Sequence, residues 1–339
     1  MEGAPTMSPK IALITGANSG IGFTIAQRLL NHSTDGFRVV LCCRNRKKAS
    51  DARDTLLKEF PSGLIDIIIV DVGSVDSVFR SCKEIKKKYD RIDLLFCNAG
   101  IFPCAYLDWW TVARQAITDP KGLLIESTPL IQPVGATTSE GLGETFACNV
   151  FGHYIMIRQL EDVLASSDQS RIIWTSSRTA KRDDYNPSDY QCFRGPSPYE
   201  SSKYVTDVIA IALNSRLNKR NIHSFTTHPG VVATNIVYDH LGWAMDKTMK
   251  AVLYTGRSLG IKEATITGWN GSYANYVVAT EPIENLNKFC KYGSYAKPWG
   301  SIYCLEEAII CYDEKEANDL LRKLDDLLNE FRKKNKYGV

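Results

Sequence analysis

A tyrosine and a lysine four residues apart, in Tyr199-Glu200-Ser201-Ser202-Lys203, form a spacing that can do chemistry. On a helix the two share one face. A phenol has a reference pKa near ~10, and a neighbouring ammonium favours its ionised form, so such a tyrosine can exchange a proton at neutral pH. Chance supplies many pairs of this kind, and this one gains weight from its surroundings. An apolar run ends in Trp174-Thr175-Ser176-Ser177. A serine at a strand end can hydrogen-bond a substrate oxygen and stabilise developing charge. Asn98-Ala99-Gly100 closes an earlier apolar run. Asn149, in Cys148-Asn149-Val150-Phe151-Gly152-His153-Tyr154, is polar in an apolar helical segment and needs partners. It reads either as a satisfied core amide or as a member of the site.

A second constellation suits a phosphate. The first apolar run leads into Thr15-Gly16-Ala17-Asn18-Ser19-Gly20-Ile21-Gly22, where a helical pattern begins. Glycines allow the sharp turn and keep Cβ atoms away from a pyrophosphate. Exposed amides at a helix N-terminus then favour the anion. The spacing G-x-x-x-G-x-G differs from the G-x-G-x-x-G fingerprint. A merely structural turn would look alike, but its place after the first strand of a βαβ unit favours the nucleotide. The end of the second strand bears on which nicotinamide cofactor binds. An acid there would hold ribose hydroxyls and repel a 2′-phosphate, whereas an arginine would pair with that phosphate. Leu41-Cys42-Cys43-Arg44-Asn45-Arg46-Lys47-Lys48 has no acid and four basic residues. That favours NADP(H) over a plain solvated basic patch. Asp71, ending the third strand, reads as an acceptor for an adenine amino group or as a helix cap.

The elements that must position these residues follow from periodicity. Strands are expected at 10–14, 38–43, 65–70, 94–97, 171–175, 223–227 and 289–293, with helices at 21–30, 47–60 and 75–88 between the early ones. This βαβα rhythm predicts an α/β fold, a doubly wound parallel sheet (Rossmann fold) with helices on both faces. We read a single domain with insertions over 1–312, including an insertion at 101–138 and a substrate-loop region at 231–270, followed by a C-terminal helix at 313–339. The insertion is long for a βα connection, and such connections are usually structured or functional. Leu320, Leu321, Leu324, Leu327, Leu328 and Phe331 form one helical stripe, which suits packing on the domain or contact with a membrane or partner.

Composition bounds the remaining choices. A net charge of +3 from 41 basic and 38 acidic residues argues against a nucleic-acid partner. The ten cysteines show no metal-ligand spacing and read as reduced structural thiols, so no metal is expected. The first ten residues lack the apolar core of a signal peptide. No stretch approaches the ~18 apolar residues of a spanning helix.

Taken in order, TGANSGIG, CNAG, Asn149, the serine strand, YESSK and His228-Pro229-Gly230 resemble the short-chain dehydrogenase/reductase family over about 10–235. The resemblance implies a tetrad of Asn149, Ser177, Tyr199 and Lys203. Tyr199 would protonate a carbonyl oxygen as a nicotinamide delivers hydride. Ser177 would polarise that substrate carbonyl. Lys203 would bind the nicotinamide ribose and lower the Tyr199 pKa, and Asn149 would hold a water linking Lys203 to solvent. Ser177 is chosen over Ser176 because the family's serine is followed three positions later by Gly or Ala, here Ala180. NADPH contacts would come from Thr15, Gly16, Ser19, Gly20, Ile21, Gly22, Arg44, Lys47, Asp71, Val72, Asn98, Ala99, Gly100, Tyr199, Lys203, Pro229, Gly230, Val232 and Thr234. The usual Asn-Asn-Ala-Gly departs here only in carrying Cys97 first.

IIWTSSRTA, CNVFGHYIMIRQLE and YESSKYVTDVIAIALN are similar to the branch of 3-keto-steroid reductases of sterol biosynthesis, which includes the type 7 17β-hydroxysteroid dehydrogenases of animals. Asp108-Trp109-Trp110, Asp119-Pro120 and Lys291-Tyr292-Gly293-Ser294 resemble its fungal members. The branch implies NADPH-dependent reduction of a sterol 3-ketone after C-4 decarboxylation. It also implies peripheral attachment to the cytosolic face of the endoplasmic reticulum membrane, with lipid droplets as a second place, beside other sterol C-4 demethylation enzymes. Alternatives are a reductase of 17-keto steroids or retinal, and a nucleotide-binding scaffold in a sterol enzyme complex. The gap between Ser177 and Tyr199 is longer than is usual in the family, which places 181–198 at the pocket rim. Trp109 and Trp110 suit either a membrane boundary or a pocket wall.

Overall fold

The computed structural model describes residues 8–32, 36–126, 128–233 and 242–334, with side chains from 247 in the last stretch. Among these residues, seven parallel strands carry the fold. They are β1 (Lys10–Thr15), β2 (Phe37–Cys43), β3 (Leu64–Ile69), β4 (Leu94–Cys97), β7 (Ser170–Thr175), β8 (Ile222–His228) and β9 (Cys290–Ala296). Strand β10 (Ile302–Ala308) adds antiparallel to β9, and the sheet order is β10-β9-β8-β7-β4-β1-β2-β3. The central strands are buried along their length, which is why they read as continuous apolar runs rather than alternating ones.

Helices α1 (Gly20–Leu30) and α2 (Arg46–Glu59) follow β1 and β2, and α3 (Val75–Lys88) follows β3. Asn45 caps α2 by accepting from the Lys48 amide. Ser74 caps α3, so the cap reading of Asp71 is corrected: its Oδ1 instead accepts from the Gly73 amide at 3.0 Å. The insertion is structured. A two-stranded hairpin of β5 (Tyr106–Leu107) and β6 (Leu130–Ile131) brackets helices α4 (Trp109–Thr118) and α5 (Pro120–Ile125). Then α6 (Glu144–Phe146) and a π-helical turn at Ala147–Phe151 run into α7 (Gly152–Ala165). Asn149 therefore sits in a π turn, a feature frequent at functional sites.

Helix α8 (Pro198–Leu217) is buried on almost every face and packs on β8. Later helices are α9 (Gly242–Ser258), α10 (Gly268–Gly271), α11 (Tyr273–Thr280) and α12 (Glu314–Lys334). The stripe of α12 faces inward. Leu320, Leu324, Leu328 and Phe331 join the core beside Val150, Tyr154 and Leu213, and Tyr154 donates to Asp325 at 2.7 Å. Packing on the protein, not an outward contact, thus accounts for the stripe. Two corrections concern the far edge. The expected strand at 289–293 begins one residue later and runs to Ala296, leaving Phe289 exposed. Strand β10 was not anticipated, because its residues are half-exposed and carry Glu306 and Glu307.

Candidate active site

Strands β1, β4, β7 and β8 end on one edge of the sheet, and the motif residues leave from those ends. This is where parallel α/β sheets bind ligands. At β1, Gly16 and Gly20 adopt φ +67° and +57°, which side-chain-bearing residues avoid. A Cβ on Gly22 would fall 2.5 Å from the Gly16 carbonyl oxygen and 2.6 Å from Asn98 Nδ2. The tight turn thus needs its glycines for packing as well as for conformation. Ser19 occupies the N-cap of α1 but makes no side-chain cap, so the first amides of that helix are donors for an anion. The cradle fits a nucleotide pyrophosphate. Ile21, Pro229 and Val232 converge on Gly271, where a Cβ would lie within 3.1 Å of all three. Thr234 lies outside the described residues.

Two residues expected to touch the nucleotide serve the scaffold through their side chains. The Thr15 hydroxyl accepts the Asn98 and Ala99 amides, each at 2.9 Å, and reaches the Phe96 carbonyl and His153 Nε2. Asn98 Nδ2 donates to the Thr15 carbonyl at 2.9 Å. They hold β1 to β4, and any ligand contact falls to the neighbouring backbone. Val72 is buried, and its carbonyl lies so close to Gly152 that no Cβ fits there. Arg44 and Lys47 are exposed past the end of β2, and Arg44 faces Asp71 at 3.8 Å.

Behind this trough, Ser177, Tyr199 and Lys203 come together. Lys203 is 5% exposed and lies 5.5 Å from the Tyr199 ring centre. Its Nζ donates to the Thr175 carbonyl at 2.7 Å. Burial pulls its ammonium down to about 8, opposed by the charge of Asp207. Burial also pushes the Tyr199 phenol up to about 12, with the Ser177 hydroxyl pulling it back and Glu200 adding to the rise. Loss of hydration is thus the largest influence on the phenol, larger than the Ser177 hydrogen bond that lowers it. Ser177 Oγ accepts the Thr179 amide at 3.1 Å and pairs with Thr179 Oγ1 at 2.9 Å.

Asn149 is 3% exposed and fully engaged at both ends of its amide. Its Oδ1 accepts from the Ile101 amide at 2.8 Å, and its Nδ2 donates to the Ile101 carbonyl and to Ser202 Oγ. A Cβ on Gly100 would fall 2.8 Å from Asn149 Oδ1. The side chain expected to hold a water is bonded to the Ile101 backbone and to Ser202 of α8, so it ties the end of β4 to that helix.

The sequence reading missed several partners. Gln132, from the insertion, accepts the Tyr199 amide at 2.9 Å and donates to Glu200 at 2.6 Å, capping α8 where Ser197 does not. Phe102 packs edge-on to Tyr199 with ring centres 4.6 Å apart. His228 Nδ1 accepts the Gly230 amide at 3.1 Å while Nε2 meets Glu307 at 3.0 Å, which sets the tautomer. Gln132, Phe102 and Glu307 have no local sequence signal, since each meets its partner from a segment far away in the chain. Trp109 and Trp110 are 63% and 79% exposed. No helix among the described residues is long and apolar enough to cross a membrane, and they hold no metal-ligand cluster.

Residues 10–242 match the family model described as short chain dehydrogenase. The 3-keto-steroid reductase/17-beta-hydroxysteroid dehydrogenase 7 of Homo sapiens is 36% identical over 95% of this chain and 94% of that protein. A 3-keto-steroid reductase of Schizosaccharomyces pombe is 29% identical over 96% and 98% respectively. Among solved structures, salutaridine reductase from Papaver somniferum shares the fold, with TM-score 0.59 at 19% identity over 82% of this chain and 98% of that one.

Proposed function

The chain belongs to the short-chain dehydrogenase/reductase family, and from that premise we propose that it reduces the 3-ketone of a sterol intermediate to a 3β-hydroxyl, with NADPH, during sterol C-4 demethylation. Carrying this reading is the near full-length likeness to 3-keto-steroid reductases in a chain that keeps Ser177, Tyr199 and Lys203 together. The family binds nicotinamide nucleotides, and the glycine turn of β1 and α1 is the cradle for the pyrophosphate. When bound, the reduced nicotinamide supplies the hydride. Arg44 and Lys47 offer the 2′-phosphate its counter-charge.

Ser177 orients the ketone by donating a hydrogen bond to its oxygen. Tyr199, neutral across the physiological range, gives that oxygen its proton. Lys203 keeps a positive charge beside the phenolate left behind, and an ammonium has three donors, of which Thr175 takes one. A second reading, reduction of 17-keto steroids, is favoured by the double name of the human relative.

We place the protein peripherally on the cytosolic face of the endoplasmic reticulum membrane, near other C-4 demethylation enzymes. The exposed indoles of Trp109 and Trp110 support a surface contact. The test is incubation of the purified protein with NADPH and a panel of 3-keto sterols, 17-keto steroids and retinal, with products identified by mass. Turnover of the 3-keto sterols alone supports the reading. Turnover of only the others overturns it.

A further inference from the structure

A buried ion pair stands directly behind the reacting groups. Lys291 on β9 is 6% exposed and Asp207 on α8 is 1% exposed, with Lys291 Nζ 2.7 Å from Asp207 Oδ2. Two strands aim at this carboxylate. Thr226 and Lys291 are register partners across β8 and β9, and Thr226 Oγ1 donates to Asp207 Oδ1 at 2.7 Å. The Lys291 ammonium also donates to the Ser177 carbonyl oxygen at 2.9 Å. Ser177 is thereby held at both ends, its carbonyl by Lys291 and its hydroxyl by Thr179. Asp207 lies one helical turn beyond Lys203, on the same face of α8.

We infer that Lys291 is a positioning residue for the carbonyl-orienting serine, and that its partner Asp207 extends the same buried ion pair to the back of Lys203. The inference rests on Ser177, Tyr199 and Lys203 being the reacting groups. A buried ion pair adds little net stability over apolar residues, so retaining one here suits a task of placement. Lys291 fixes the main chain of Ser177 and hence the height at which its hydroxyl meets the substrate. Asp207 supports the charge of Lys203, which burial alone would lower further. Other charged or titratable groups nearby are Tyr199, Glu200 and Tyr204 on α8, the buried His153 on α7, and Arg178, His228 and Glu307. His153 is held neutral, pulled down to about 3 by burial, and adds no charge near pH 8.

Two variants test this, Lys291→Met and the double variant Lys291→Met/Asp207→Asn, with Tyr199→Phe in parallel. Lys291→Met strands the Asp207 carboxylate and lowers the melting temperature. The double variant removes that stranded charge and recovers the melting temperature. If Lys291 positions Ser177, both variants lose on the order of 10–100-fold in kcat while NADPH affinity stays within a few-fold. The alkaline limb of kcat/KM also moves to lower pH in the double variant. If the double variant recovers kcat together with stability and keeps the wild-type pH profile, the pair is only structural and the inference is overturned. Should Lys291→Met not fold, the double variant decides by the same two readouts. An active Tyr199→Phe variant would instead remove the reading of the site itself, which separates the two failures.

Discussion

The Lys203 ammonium stands 5.5 Å from the centre of the Tyr199 ring, one helical turn away, yet the phenol is pushed up to about 12 rather than down. Burial acts on both groups, raising the phenol and lowering the ammonium to about 8. A phenol so raised keeps a proton that it can give. The phenol stays neutral across the working range, and the group that titrates within reach is Lys203. A lysine with a lowered pKa keeps its charge below that value and loses it as pH rises through it. Ketone reduction should thus be nearly flat on the acid side of neutrality and fall through an ionisation at about 8. The rate of NADPH oxidation at saturating ketone, followed from pH 6 to 10, checks it. A profile flat to pH 10 would show that the charge of Lys203 does not matter to the step.

Tyr199→Phe keeps the ring that packs on Phe102 and removes only the hydroxyl. Turnover should fall by roughly 10²–10⁴-fold, the usual contribution of positioned proton transfer, with NADPH binding within a few-fold. Retention of more than half the wild-type rate would sink the assignment of Tyr199.

Cofactor preference should rest on Arg44, whose exposed side chain follows β2 and faces Asp71. A charge-assisted contact to a 2′-phosphate is worth on the order of 1.5–3 kcal/mol, or ~10–100-fold in affinity. Wild type should favour NADPH over NADH, and Arg44→Ala should lose most of that margin. Dissociation constants for both nucleotides measure it. An unchanged ratio in the variant would mean that another group reads the phosphate.

Trp109 and Trp110 are both exposed, which suits an outer surface better than a closed pocket wall. Asp108 caps α4 by accepting the Trp110 and Thr111 amides, so the helix survives changes at the two tryptophans. The double substitution of Trp109→Ser with Trp110→Ser should move the protein from the membrane fraction to the soluble one. Activity on detergent-dispersed substrate should persist. An unchanged membrane fraction would rule out this anchor.

What the sequence by itself determined is carried by short-range pattern. The glycine turn, the i to i+4 pair of Tyr199 and Lys203, and the apolar runs of β1 to β4 are each set by residues adjacent in the chain, so period and turn chemistry reveal them. The alternation of apolar runs with helical patterns also told of a parallel sheet. Tertiary structure alone decided the rest. Lys291 meets Asp207 across 84 positions, brought together by the pairing of β9 with β8 and the packing of α8 on β8. Gln132 reaches the Tyr199 amide because the insertion folds back over the start of α8. Strand β10 exists through pairing with β9, since its own half-exposed residues carry no strand period. Burial, too, is a property of the assembled core. It raises the phenol and lowers the ammonium, because desolvation depends on everything packed around a group and spacing along the chain does not encode it.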